Sequence, residues 1–369
     1  MSTYYVSQDS GNDSNAGSEA SPFRTLSHAF HIAGNTGSGI TYGNTIIIND
    51  SATYDVTNGT AGVDNTSNQV EATTGWLPRE FVIKAGSGCS PTLDGGYNAD
   101  FAIKHYTDWV IQGITFKRFG SNTANHAAIQ EVTSRQTAFI RDCKIHQVTG
   151  TGIYTTDEGT TVERCEIFDC TGYGYRGFEE CIIKNNLIYN CASSAIHGGY
   201  GVRDSPTIQH NTVSNCPRSG SDHGSRQYAI RSRTAEYNIV VSASCTIAAI
   251  STNGTHSYNC VTGTYDHKGE NSPTNYSGGP GTGDLEADPL LVVGSLKLSE
   301  DSPCLGAAVG STRTVDFTSG SLTWVYPHKV MNVSSSAKPN DMGAYELNYT
   351  TVTGVNTSII HNVLSASAS

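Results

Sequence analysis

The chain has 369 residues, of which 15% are charged, with a formal net charge of −11 and 39 glycines. A charged fraction well below the roughly one quarter usual in globular proteins fits an all-β chain with many tight turns, and the acidic balance argues against nucleic acid or an anionic membrane as a general partner. No run approaches 18 apolar residues, which argues against a transmembrane helix.

The N-terminal Met-Ser-Thr-Tyr-Tyr-Val lacks a basic region followed by an apolar core, so no secretory signal peptide is expected in this sequence. Either such a signal has been trimmed, or the protein leaves its cell by another route, lysis included. Residues 1–35 read as a cap. Thr3 to Val6 is a short strand, Gly11 to Ser21 a turn-rich loop, and Thr25 to Ala33 an amphipathic helix with Leu26, Ala29, Phe30 and Ala33 on one face. Thr25 stands at the N-cap position and Gly34 just past the end. A helix closing one end of a solenoid protects an otherwise open strand edge.

Rungs are expected at Thr45–Asn49, Phe81–Ala85 and Asp108–Phe116, with 50–80 a polar, irregular insertion between them. A regular array follows over about 129 to 265. There Cys143-Lys-Ile145, Cys165-Glu-Ile167, Asn186-Leu-Ile188, Asn211-Thr-Val213, Asn238-Ile-Val240 and Asn259-Cys-Val261 recur at intervals of 22, 21, 25, 27 and 21. A second phrase, a small residue then Ile or Tyr, keeps step with it at Gly152-Ile153, Gly174-Tyr175, Ala195-Ile196, Ala229-Ile230 and Ala249-Ile250. A fixed period of this length means units that bury an apolar face only by stacking. Apolar pieces of three to five residues between Gly, Asn, Ser and Thr are strands and turns. The expected fold is all-β: a parallel β-solenoid over 36–283. From Asn271 to Gly283 the chain reads as leaving the last full rung, and 284–346 as a segment folding back on the helix.

Of the ten cysteines, five stand at two recurring positions of the repeat. Cys143 and Cys165 are equivalent, and Cys170, Cys191 and Cys216 each follow Asp or Asn. Equivalent positions of a solenoid stack roughly 4.8 Å apart, so these cysteines read as buried hydrophobes in reduced ladders. No Cys-x-x-Cys pair points to zinc. The last 23 residues, 347–369, contain no Asp, Glu, Lys or Arg but do carry Val352, Val355, Ile359, Ile360, Val363 and Leu364. Disordered tails are usually more charged than this, so the segment is expected to dock on a neighbouring subunit, with a homotrimer as the assembly; a disordered terminus is the other reading.

Thr3-Tyr-Tyr-Val6, Gly11-Asn-Asp-Ser14 and Pro22-Phe-Arg-Thr-Leu26 resemble the N-terminal cap of right-handed parallel β-helix proteins of the pectate-lyase-like superfamily. Val110-Ile-Gln-Gly-Ile-Thr-Phe116 resembles their early rungs. Asp288-Pro-Leu290, Leu296-Lys-Leu298, Ser302-Pro-Cys-Leu305 and Asp341-Met-Gly-Ala-Tyr-Glu346 resemble the ending of bacterial and phage members. The resemblance implies the fold, but its members include lyases, glycoside hydrolases, epimerases and tailspikes, so it does not select a chemistry. The polygalacturonase set and the Asp-Pro-His-Asp box of alginate epimerases are absent, and His197-Gly198-Gly199 matches the polygalacturonase histidine motif only superficially.

With Ile153, Tyr175, Ile196, Ile230 and Ile250 pointing inward, alternation turns Tyr154, Arg176, His197, Arg231 and Ser251 outward. The small column Gly152, Gly174, Ala195, Ala229 and Ala249 beside them is expected to form the floor of a shallow trough. Arginine binds sugar carboxylates bidentately, so the row reads as a groove for an acidic polysaccharide. The competing reading pairs Arg176 and Arg231 with Glu179, Glu180, Asp204 or Asp222 as structural ion pairs. The 34 residues from Ile196 to Ile230 would overhang the row, bringing Asp222, His223 and Arg226 to it, with Tyr228, Arg233 and Asp204 near.

If the groove is catalytic, β-elimination needs a cation on the carboxylate, from Arg176, Arg231 or a bound Ca²⁺, and a base, from His197, His223 or Tyr228. A hydrolase needs two carboxyls, for which Asp204 and Asp222 are the pair to test. No cofactor or resident metal is otherwise expected. The function expected from these features is a phage virion surface protein, as tailspike, fibre or capsid decoration, that binds polysaccharide and contacts other virion proteins. The alternative is a stand-alone extracellular polysaccharide lyase or glycoside hydrolase acting on an acidic glycan.

Overall fold

In the computed structural model the described residues are 2–34, 44–56, 70–71, 81–105, 109–120, 127–131, 138–155, 159–177, 180–198, 206–217, 228–241, 243, 245, 247–264, 274–291, 298–299, 301–304 and 307. Their strands are short and pair in parallel with the strand one turn on, so the chain winds as a three-faced coil. Face one runs from Thr3–Val6 through Thr45–Ile48, Phe81–Ala85, Trp109–Gln112, Ala138–Arg141, Thr161–Glu163 and Ile182–Lys184 to Thr207–Gln209. Face two is a sheet of nine strands, from Thr53–Asp55 to Cys260–Thr262. Face three carries Ile103–His105, Ala127–Glu131, Thr151–Tyr154, Tyr175–Arg176 and Ile196–His197. It continues into the first halves of the longer strands Tyr228–Glu236 and Ala248–Ser257, which cross the corner and finish on face one.

The repeated phrases are the corners of this coil. Between faces one and two a single residue adopts a left-handed backbone on each turn: Gly113, Asp142, Arg164, Asn185, His210, Tyr237 and Tyr258 have φ of 73, 55, 53, 57, 54, 58 and 54°. One such residue turns the strand direction sharply, and the next side chain then points inward. From Asn186 on that inward position is asparagine, giving a ladder of Asn186, Asn211, Asn238 and Asn259, none of which has exposed surface. Each Oδ1 accepts the backbone N–H and the side-chain Nδ2–H of the asparagine one turn before, at 3.0 Å throughout. The Nδ2 groups also donate to buried carbonyls of Val162, Ile183, Ile208 and Ala235 at 2.8 to 2.9 Å. Asp284 ends the ladder by accepting both donors of Asn259, and the N–H of Cys165 closes the other end at 2.9 Å. Buried amides cost free energy unless bonded; here each amide satisfies its neighbour.

The second corner repeats the device with Arg118, Gln147, Asp169, Asn190 and Asn215 left-handed, conformations that Asn and Asp tolerate better than most residues. The residue that follows fills the inside of the bend: Phe119, Val148, Cys170, Cys191 and Cys216, all buried. All ten cysteines are free, and only Cys89 is not buried. Burial raises the Cys165 and Cys245 thiol pKa values well above the ordinary range, which suits packing rather than reactivity. On face two, Ile145, Ile167, Ile188, Val213, Val240 and Val261 stack in register and are completely buried, each burial contributing about 1.5–3 kcal/mol. Ile188→Asp would break this column at its centre.

The cap helix forms where expected, but runs one residue further and includes Gly34. A helix spans Leu26–Gly34, the Thr25 hydroxyl accepts the His28 N–H at 3.2 Å, and Asp13 accepts from the Arg24 and Thr25 N–H groups. Phe30 stacks 5.2 Å from Phe81 and 6.0 Å from Trp109.

Three local expectations differ from the structure. Residues 50–56 belong to the coil, since Thr53–Asp55 opens face two with Tyr54 and Val56 buried; Asp50 accepts the Tyr54 hydroxyl at 2.9 Å, which a polarity count reads as loop. The Asp108–Phe116 rung is two strands on two faces, because Gly113 is a corner. The chain also stays in the coil after Asn271: Thr274–Tyr276 pairs with Ala248–Ser257, and Thr282 and Leu285 bridge the preceding turn. The segment 347–369 lies outside the described residues.

Candidate functional site

Face three brings together the row read from alternation. Tyr154 pairs with Arg176, Arg176 with His197, His197 with Arg231 and Arg231 with Ser251. Arg176, His197 and Arg231 are half-buried, while Ser251 is closed off inside the sheet. Aromatic rings hold the guanidinium groups. Arg176 lies 5.6 Å from the Tyr154 ring centre and 5.4 Å from that of Tyr173, and Arg231 lies 5.5 Å from that of Tyr228. Such contacts contribute about 0.5–1 kcal/mol each at exposed sites. His197 packs 5.5 Å from Tyr173, ring to ring, at 43°.

Burial first, then the positive charges of Arg231 and Arg176, lower the His197 pKa to about 4. The imidazole is therefore neutral at pH 7, and the row carries two charges separated by a neutral ring. Two rungs separate the arginines by about 9.6 Å, where their repulsion is about 0.4 kcal/mol in water and about 1.7 kcal/mol at an effective dielectric of 20. That cost is small enough for the fold to carry. A conjugate-acid pKa near 4 makes His197 a weak base at pH 7, because a general base works best with its pKa near the working pH. A carboxylate placed between the guanidinium groups would raise it.

The small column is not a trough floor. Gly152, Gly174, Ala195, Ala229 and Ala249 are buried. A Cβ on Gly152 would meet Ile167 Cγ2 at 2.8 Å and Cys170 Sγ at 3.4 Å, and one on Gly174 would meet Ile188 Cγ2 at 2.6 Å. These residues leave room inside the corner for the face-two column, so strict alternation fails there. Tyr173 was missed for the same reason. Counting by twos from the inward Tyr175 puts it inside, whereas the bend at Gly174 brings its ring against Arg176 and His197. The run Gly172-Tyr-Gly-Tyr-Arg176 was the available signal.

Asp204, Asp222, His223 and Arg226 lie outside the described residues, as does Glu179. The long interval before Ile230 is not one loop, because Thr207–Gln209 and Thr212–Ser214 within it are rungs on faces one and two. Arg233 follows Arg231 on the same strand, past a register shift between Ser232 and Thr234, and sits at the corner with face one. There Pro206, Thr207, Gln209, Arg233, Thr234, Glu236, Gly254 and Thr255 line a cleft of about 450 Å³. Among the described residues no group of three or more His, Cys, Asp or Glu is placed to hold a metal ion, and no helix is long and apolar enough to cross a membrane.

A family model described as a right handed beta helix region matches residues 96–261. Among solved structures the chain is similar to the crystal structure of pectate lyase Pel9A, at 12% identity and a TM-score of 0.47, over 94% of this chain and 97% of that one. It is also similar to a rhamnogalacturonan lyase, at 13% identity and 0.37, over 71% and 74% of the two chains. A GH136 lacto-N-biosidase from Eubacterium ramulus is similar at 10% identity and 0.36, over 77% and 68%. No curated protein matches the chain by sequence. The parallel coil and the family match over 96–261 together identify this as an all-β right-handed parallel β-helix.

Proposed function

We propose that the Arg176–His197–Arg231 row binds the carboxylates of an acidic polysaccharide lying against face three. The observation that carries the reading is two guanidinium groups two rungs apart in one register, each set on a tyrosine ring, with a neutral imidazole between them. Guanidinium suits planar carboxylates, and Tyr154 and Tyr228 offer apolar ring surface to sugar C–H groups. The low basicity of His197 favours binding over base catalysis; β-elimination by the same residues is the second reading. The proposed setting is a virion surface, as tailspike, fibre or decoration in a homotrimer beside other virion proteins, and free, buried cysteines suit assembly in a reducing cell.

The test is a panel of acidic polysaccharides offered to the wild type and to the triple variant Arg176→Ala, His197→Ala, Arg231→Ala. The variant should keep its β circular dichroism and lose at least tenfold in affinity for any glycan the wild type binds. Equal binding would sink the proposal. Absorbance at 235 nm during the same incubations reports unsaturated ends and decides whether the site is a lyase, and mass photometry distinguishes a trimer from a free monomer.

A further inference from the structure

The cleft around the corner from the row has a different charge character, although the two share one strand. Strand Tyr228–Glu236 carries Arg231 on face three and then Arg233 and Glu236 at the cleft. Two residues of chain put Arg233 at most about 7 Å beyond Arg231, within reach of neighbouring units of a single glycan. The cleft, about 450 Å³, falls in the range of small-ligand pockets, roughly 300–1,000 Å³. Gly254 lets its strand lie close against Arg233 at one wall of the cleft: a Cβ there would meet Arg233 O at 2.7 Å and Arg233 Cγ at 3.1 Å. Glu236 is held in place, its Oε2 accepting from Gln209 Nε2 at 2.8 Å and its Oε1 from the Ser257 hydroxyl at 3.4 Å.

The formal charges of Arg233 and Glu236 cancel, whereas the row carries two arginines. A carboxylate entering the cleft meets the Glu236 carboxylate. A hydroxyl or acetamido group meets an ordered acceptor, the Arg233 guanidinium and the Thr255 hydroxyl. We infer that the cleft is a subsite for an uncharged sugar, so that the glycan bound here alternates or mixes acidic and neutral units and a homopolyuronate is disfavoured. This rests on the reading of the row given above and adds to it the composition of the chain that is bound.

The experiment compares two octasaccharides at 150 mM salt by calorimetry: a hyaluronan oligomer, which alternates uronate with an uncharged N-acetylated sugar, and octagalacturonate, which is acidic at every unit. General attraction to the arginines would favour octagalacturonate, so the expected tighter binding of the hyaluronan oligomer opposes bulk charge. Glu236→Gln should narrow that preference by about twofold, the effect of removing one carboxylate about 8 Å from another in a watery medium. Thr255→Trp, at an exposed position, fills the cleft and should also narrow it, which keeps the test open if Glu236→Gln folds poorly. Octagalacturonate binding as tightly as the hyaluronan oligomer, or a preference that neither variant moves, overturns the subsite and leaves the row intact, provided Arg176→Ala still weakens both ligands. Binding of neither octasaccharide overturns the subsite and the row together.

Discussion

Removing one asparagine from the buried ladder should cost far more than a side chain of its size suggests. In Asn211→Ala the Oδ1 that accepts from Asn186 N and Nδ2 disappears, and with it the Nδ2 donations to Ile183 O, Gln209 O and Asn238 Oδ1. The Asn186 N–H then stays buried with no replacement, and the Asn186 amide and the Ile183 carbonyl each lose a partner, together costing about 2–4 kcal/mol. A small cavity adds to that, so the expected loss is about 3–5 kcal/mol. At about 2.1 cal/mol/K of unfolding entropy per residue, a chain of this length should lose about 4–6 °C in thermal midpoint. Circular dichroism at 218 nm, a wavelength that reports strand content, follows the melt, and urea titration gives the free energy. Asn211→Asp is the sharper variant: it keeps the shape and the acceptor but loses the three Nδ2 donations and buries a charge, so it should be worse than alanine. Asp succeeds at position 284 because the last rung only has to accept, with Oδ2 taken by Gly281 N–H at 2.7 Å. A loss below about 1 kcal/mol for Asn211→Ala, or an Asp variant as stable as the wild type, would refute the claim that the ladder is a chain of mutually satisfied buried amides.

Two further outcomes are expected. Denatured protein should yield ten reactive thiols, while native protein should label quickly only at Cys89, the one cysteine that is not buried; four or five disulfides would contradict the reduced ladders. His197 should make the native state acid-sensitive in a defined window. Its folded pKa of about 4 lies below the ordinary 6.5, so the unfolded chain takes up the proton first as pH falls. Its contribution is complete above about pH 6.5 and is lost towards pH 4, by about 2 kcal/mol at pH 4.5. His197→Gln should flatten the difference in urea stability between pH 7.5 and pH 4.5 by that amount, and an unchanged difference would show the imidazole to be freely protonated.

The period and the strand columns were legible in the sequence because a solenoid repeats one environment. Position 186 on one turn faces what 211 and 238 face on the next, so equivalent residues line up without knowledge of any long-range contact. The Arg176–His197–Arg231 row followed from the same counting, and the register bears it out. Where the backbone bends, counting by twos stops working. Gly152 and Gly174 turn inward beside residues that also face inward, and Tyr173 swings out to Arg176. Tyr54 is buried in a stretch too polar to look like core, because Asp50 satisfies its hydroxyl. The cleft of Gln209, Arg233, Glu236 and Thr255 could not be read at all. It joins strands more than 20 residues apart at a corner where one strand shifts register. Sequence alone determined what repeats along the coil, since repetition is local and periodic. Only the tertiary structure decided what meets at the corners, because there the backbone leaves the strand geometry that makes side-chain direction predictable.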